Sequence, residues 1–245
     1  MRILISGDKH LGLVSDGMER LEEQERVLGG IVEVLRRERP DVYVDLGDLF
    51  HNSRPTPAVY EVAMRYFVEV AEWASRTSGR AFLLVGNHDH PTRGLSHALD
   101  PFVPLEGYFD RVSVEEWVSS HRVEDHLLVF LPHVTDDRAL RREAGSAEEY
   151  LEESSKEILK KADLPIVVFS HLEVPGVKLG EFDPVQRDTG VSIPARLIKS
   201  KKVIRVYAGH VHKHQEVGKV NVVGSSIHVD FGEADDPKGM ILAEV

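Results

Sequence analysis

Cysteine is absent from all 245 residues. That excludes disulfides and thiolate metal sites, and it fits a reducing compartment. No apolar run approaches the roughly 20 residues that cross a bilayer, and Met1–Ser6 is too short for a signal-peptide core. A soluble, cytoplasmic protein is the expectation. Positive charge is in deficit, with 30 basic against 41 acidic residues and a net charge of −11. Such a balance argues against a protein that coats nucleic acid electrostatically. It leaves open an enzyme that grips phosphate through bound metal. There is no P-loop pattern, so the chain has no ATP site of its own. There is no G-x-S-x-G elbow, so Ser170-His171 does not read as a nucleophile pair.

What is present is a core's worth of apolar residues, 42% of the chain, arranged in an alternating pattern. Arg2–Ser6, Asp41–Leu46 and Phe82–Val85 read as buried strands. Between them, Met18–Arg39 and Thr56–Ser75 carry apolar residues at helical spacing. Pro40 stops the first helix, and Pro57 sits in the first turn of the second. The βαβαβ order implies a parallel sheet with right-handed crossovers. Further on, Asp110–Val114, His126–Leu131, Pro165–Phe169 and Val203–Ala208 read as strands, and Glu148–Lys161 as an amphipathic helix. Val174–Pro194 reads as a long loop. The tail is antiparallel, with Gln215–Val217 and Val220–Val223 flanking a Gly218-Lys219 turn and Met240–Val245 as a last strand. No repeat or linker appears, so one domain is expected over 1–245.

The polar residues that follow these strands are the informative part. Asp8 and His10, Asp48, Asn87 and His88, His171, and His210 with His212 each come directly after an apolar run. In α/β sheets, ligands bind at the carboxyl ends of the strands. A cluster of Asp, Asn and His gathered there suits Mn, Fe, Zn, Co or Ni better than Ca, and is large enough for two ions. Asp48 is the natural shared ligand. Two divalent ions against Asp8, Asp48 and a bridging hydroxide leave about one positive charge, matched to a phosphodiester.

Taken together, Asp8-x-His10, Gly47-Asp48, Gly86-Asn87-His88-Asp89, His171 and Gly209-His210-x-His212 resemble the motif set of the calcineurin-like metallophosphoesterases. The resemblance implies a four-layer α/β/β/α sandwich of two mixed sheets flanked by helices. It implies one metal at Asp8, His10, Asp48 and His212, and a second at Asp48, Asn87, His171 and His210. Mn2+ is the expected ion. His88 would be the non-ligand histidine that protonates the leaving oxygen after a metal-bridging hydroxide attacks phosphorus.

A narrower resemblance is to the SbcD-type nuclease subunits that work with SMC-like ATPases in double-strand-break processing. It lies in Asp8–Gly12, Gly47–Pro55 and the tail from Gly224 to Gly239. It implies that His51 engages the scissile phosphate, with Asn52 and Arg54 as substrate-binding residues beside it. It also implies DNA as substrate, a homodimer through the helix after His51 and the stretch near Leu95–Val103, and an SMC-like ATPase partner. The chain stops after its last strand, without the capping and ATPase-binding segments of those nucleases. The main expectation is a metal-dependent DNA nuclease. Its alternatives are a small-molecule or cyclic-nucleotide phosphodiesterase or phosphatase, and a subunit that mainly binds a partner.

Overall fold

The computed structural model describes residues 1–91, 94–177 and 190–245. Of the long loop expected over 174–194, residues 178–189 lie outside them. In chain order the strands begin with β1 (Arg2–Ser6), β2 (Val14–Ser15), β3 (Met18–Glu19), β4 (Val42–Asp45), β5 (Arg80–Leu84), β6 (Val112–Glu115) and β7 (Ser119–Val123). They continue as β8 (His126–Leu131), β9 (Ile166–Ser170), β10 (Val203–Ala208), β11 (Gln215–Val217), β12 (Val220–Val222) and β13 (Met240–Glu244). The helices are α1 (Leu21–Glu38), α2 (Pro57–Thr77), α3 (Asp136–Ala139), α4 (Ala147–Lys161) and α5 (Ala195–Lys199).

Two mixed sheets result. The first runs β13-β1-β4-β5-β6, parallel except for β13. The second runs β11-β12-β10-β9-β8-β7, with β8, β9, β10 and β12 parallel and the outer strands antiparallel. Side-chain alternation along each strand decides the layering. Ile3, Ile5, Val44 and Phe82 meet Phe130, Val167, Phe169 and Tyr207 between the sheets. Leu4, Tyr43 and Leu83 face α1 and α2 on one side. Val129, Val168 and Val206 face Leu151 of α4 and Leu197 of α5 on the other. The four-layer α/β/β/α sandwich is thus built from period-2 strands buried on both faces.

Two differences from the sequence reading have physical causes. Helix α1 starts at Leu21 rather than Met18, because residues 14–19 form a hairpin. Its turn is Asp16-Gly17, both at positive φ (51° and 75°), the turn that Asp-Gly favours. Strand β7 was not expected, being a polar strand that among the described residues pairs with β8 alone. On α2, Val59, Val62, Ala63, Tyr66, Phe67, Val70 and Trp73 are all buried in the chain's own core, as their helical spacing implies.

Beneath the strand ends lies a buried ion pair. Lys9 Nζ donates to Asp45 Oδ1 at 2.7 Å and to the Gly7 carbonyl at 2.6 Å, with both side chains 1% exposed. Burial pushes the Asp45 carboxyl up and Lys9 works against that. Removing one partner of such a pair strands a charge in the core. Lys9→Met is expected to cost about 3–5 kcal/mol of unfolding free energy by urea titration, far more than an exposed Lys→Met would.

Candidate metal centre

Five strand ends on the two sheets meet at one edge. After β1, the Lys9 and His10 amides both bond to the Asp48 carbonyl at 3.0 Å, fastening two of these loops together. Gly86 has room for no side chain, as a Cβ would stand 2.1 Å from Asp48 Oδ1 and 2.4 Å from its amide nitrogen. From the sequence, Gly86 reads as a turning residue. Close approach is the actual reason, and its φ is not positive. Asp89 reinforces the same joint, accepting from the Phe50 amide at 3.0 Å and the Gly86 amide at 2.8 Å. His10, Asp48 and His210 all have left-handed backbones, with φ of 48°, 48° and 72°. Non-glycine residues there store about 1–3 kcal/mol each, a strain concentrated at functional sites.

The side chains converge accordingly. His10 Nε2 lies 3.1 Å from His212 Nε2, and Asp8, His10 and His212 group together. Asp48 Oδ2 lies 3.3 Å from His171 Nε2, whose other neighbour, Asn87 Oδ1, is at 3.0 Å. Asn87 Oδ1 is also 2.8 Å from His210 Nδ1. Asp48 Oδ2 reaches His10 Nε2 at 3.9 Å, so this one carboxylate faces both groups. Asp8, His10, Asp48 and His171 are fully or almost fully buried.

Hydrogen bonding fixes which nitrogens face inward. His171 Nδ1 donates to the Leu46 carbonyl at 2.7 Å, which turns Nε2 toward Asp48 and Asn87. His212 Nδ1 donates to Glu233 Oε1 at 2.8 Å, which turns Nε2 toward His10. A histidine tethered by Nδ1 presents an Nε2 lone pair, the arrangement typical of metal ligands. Burial lowers His10 to about 3 and His210 to about 4, so both are neutral at pH 7. Burial opposes a proton on His171, yet the Asp48 and Asp8 carboxylates push it up to about 10. Burial likewise opposes charge on Asp48, but His171, His10 and His88 hold its carboxyl well below the ordinary range. The buried carboxylates therefore demand positive charge at their centre. Mixed oxygen and imidazole donors around that demand fit divalent transition ions.

His88 and His51 stand beside this cluster. Their rings stack at 5.4 Å, and His88 Nδ1 donates to the His51 carbonyl at 2.9 Å. His10 packs edge-on to both. All nine of the expected metal and catalytic residues thus come together at one edge. Asn52 and Arg54 are exposed in the loop that follows His51, their side chains making no hydrogen bond or ion pair among the described residues. His214, adjacent in sequence, instead binds the Val222 carbonyl at 2.8 Å.

Glu233 was missed. Besides orienting His212, it accepts from the Val229 amide at 2.9 Å and pairs with Lys238 at 2.7 Å. The tail containing it was singled out, but nothing in spacing ties a residue 21 positions away to His212.

The calcineurin-like phosphoesterase family model matches residues 1–214. The chain belongs to that family. As a calcineurin-like phosphoesterase it is 26% identical, over 255 aligned residues, to the D component of the SbcCD nuclease of Staphylococcus saprophyticus. That alignment covers 100% of this chain and 66% of the relative, so the chain spans just under two thirds of that protein's length. Among solved structures, TT1561 of Thermus thermophilus is 15% identical at a TM-score of 0.55, covering 91% of this chain and 89% of that one. A dimetal phosphatase from Danio rerio is 16% identical at 0.55, covering 90% and 85%. A further solved chain reaches 0.62 at 17% identity, covering 99% and 98%. At such identities the likeness speaks to the fold, which is the sandwich described above. No helix among the described residues is long and apolar enough to cross a membrane.

The Glu233 tether yields a prediction. Burial favours its neutral form, but the hydrogen bonds from His212 and Lys238 lower it to about 2. Glu233→Gln keeps the shape and weakens the charge-assisted bond that holds the His212 tautomer. Manganese affinity measured by calorimetry is expected to fall about 10- to 100-fold.

Proposed function

We propose that this chain hydrolyses phosphodiesters, with two divalent ions, Mn2+ foremost, held by Asp8, His10, Asp48 and His212 and by Asp48, Asn87, His171 and His210. Bound there, such ions activate water at neutral pH and neutralise the phosphoryl oxygens. The chain's own residues supply the rest. Asp48 links the two groups, and Glu233 and the Leu46 carbonyl hold ligand tautomers. His88, fixed through Nδ1 on the His51 carbonyl, has Nε2 available to hold a proton for the leaving oxygen. His51, stacked on it, positions the phosphoryl group.

The observation that carries the diester reading is this pair of imidazoles beside the cluster. Among the described residues, no lysine or arginine side chain pairs with the side chain of Asp8, His10, Asp48, His51, Asn87, His88, His171 or His212; Lys238 meets His212 at its backbone carbonyl, at 3.2 Å. Imidazoles suit a singly charged diester, whereas a dianionic monoester gains most from a guanidinium clamp. A small or cyclic diester is the substrate class that the net charge of −11 favours. DNA is the second reading, with end processing and an SMC-like ATPase partner, and it rests on the similarity of the whole of this chain to just under two thirds of a nuclease component.

The test is Mn2+-titrated hydrolysis of bis-p-nitrophenyl phosphate, p-nitrophenyl phosphate, and end-labelled single- and double-stranded DNA. The diester should be preferred over the monoester. His88→Ala should retain the wild-type manganese count and lose about 10²- to 10⁴-fold in kcat, while Asp48→Ala should lose manganese as well. Preference for the monoester, or a near-wild-type rate for His88→Ala, would overturn the reading. DNA cleavage that disappears in His88→Ala would move the substrate assignment to the nuclease.

A further inference from the structure

A sixth strand end reaches the edge where the proposed centre lies. Strand β8 runs parallel to β9 with Leu131 opposite Ser170, and the His171 amide donates to the Leu131 carbonyl at 2.9 Å. The residues that follow β8 therefore emerge beside His171, and the second of them is His133. Its backbone is clamped to the loop that carries Asn87 and His88. The His133 amide donates to the Val85 carbonyl at 2.9 Å, and His90 Nε2 donates to the His133 carbonyl at 3.1 Å. Val134, next in the chain, is fully buried and holds the turn in place.

The ring so positioned makes no hydrogen bond among the described residues, and its Nδ1 is buried without a partner. It packs on the His90 ring at 5.6 Å between centroids, and on no histidine of the centre among the described residues. Burial lowers it to about 4, with His171, His210 and His88 acting the same way and Asp48 opposing. The ring is thus neutral at pH 7 and within electrostatic reach of all four. A neutral imidazole has one N–H. On Nδ1 that N–H would be buried with nothing to accept it, which is costly. The proton therefore belongs on Nε2, the nitrogen that is not enclosed.

Resting on the two-metal diester reading above, we propose that His133 contacts the substrate, donating from Nε2 to a non-bridging oxygen of the bound phosphodiester. A diester carries one negative charge, which two divalent ions, Asp8, Asp48 and a bridging hydroxide already balance. A neutral donor adds a directed hydrogen bond there without adding charge. His90 acts through the His133 carbonyl and is a positioning residue.

The test uses the whole manganese-loaded chain as wild type, His133→Ala and His133→Gln, the last keeping an N–H donor on a side chain of similar reach. Binding of diethyl phosphate, a diester with a poor leaving group, is titrated by 31P line broadening, and bis-p-nitrophenyl phosphate kinetics are run in parallel. His133→Ala should keep the wild-type manganese count and bind diethyl phosphate about 10- to 100-fold more weakly, with a similar fall in kcat/KM. His133→Gln should recover most of both. Wild-type affinity for diethyl phosphate in His133→Ala, a His133→Gln no better than His133→Ala, or a loss of manganese in either variant would overturn the contact, as would a wild type that binds no diethyl phosphate. The hydrolytic reading fails separately: a wild type that binds diethyl phosphate through His133 yet prefers the monoester would contradict that reading and leave the contact standing.

Discussion

One buried carboxylate organises this molecule. Asp48 sits in the left-handed backbone region, almost fully buried, with His171 and His10 on its Oδ2. Its Oδ1 accepts from the His88 amide at 2.8 Å, and its carbonyl receives the amides of Lys9 and His10. The loops after β1, β4 and β5 are therefore laced to one residue. Gly86 is glycine because Asp48 fills the space where its side chain would be. An anion so placed is stable only if positive charge shares its pocket. The imidazoles from the second sheet supply the frame for that charge, so the contact of the two sheets and the chemistry of their edge are one arrangement.

The histidines divide by how they are tethered. His171 and His212 give Nδ1 to a carbonyl and to Glu233, leaving Nε2 for the centre. His88 gives Nδ1 to the His51 carbonyl and stands outside the proposed ligand rings. His90, His97 and His214 spend a ring nitrogen on the His133 carbonyl, on Glu116 and on the Val222 carbonyl. The residue type alone does not separate these uses. The tether does, because a neutral imidazole has one donor and one acceptor, and fixing the first aims the second.

Much of this was legible in the sequence because buried parallel strands read as continuous apolar runs, and the residue after each run is at the carboxyl edge by topology. Asp8, Asp48, Asn87, His171 and His210 were found that way. The Asp16-Gly17 turn was also legible, but its second strand, Met18–Glu19, was lost to a helix read as starting at Met18. Strand β7 was not, since an edge strand of sequence SSHRV has no apolar face to signal it. Nor was the Lys9–Asp45 pair: a lone carboxylate in an apolar strand announces that a partner exists without saying which one. Glu233 depends on a fold-back of the tail that no local pattern encodes.

The central claim is that Asp48 is shared between two ions. Anomalous scattering from crystals of this chain soaked in Mn2+ addresses it directly. The account predicts two peaks about 3.5–4 Å apart, with the Asp48 carboxylate between them, one beside Asp8, His10 and His212 and the other beside Asn87, His171 and His210. A single peak, or two peaks with no common ligand at Asp48, would contradict it.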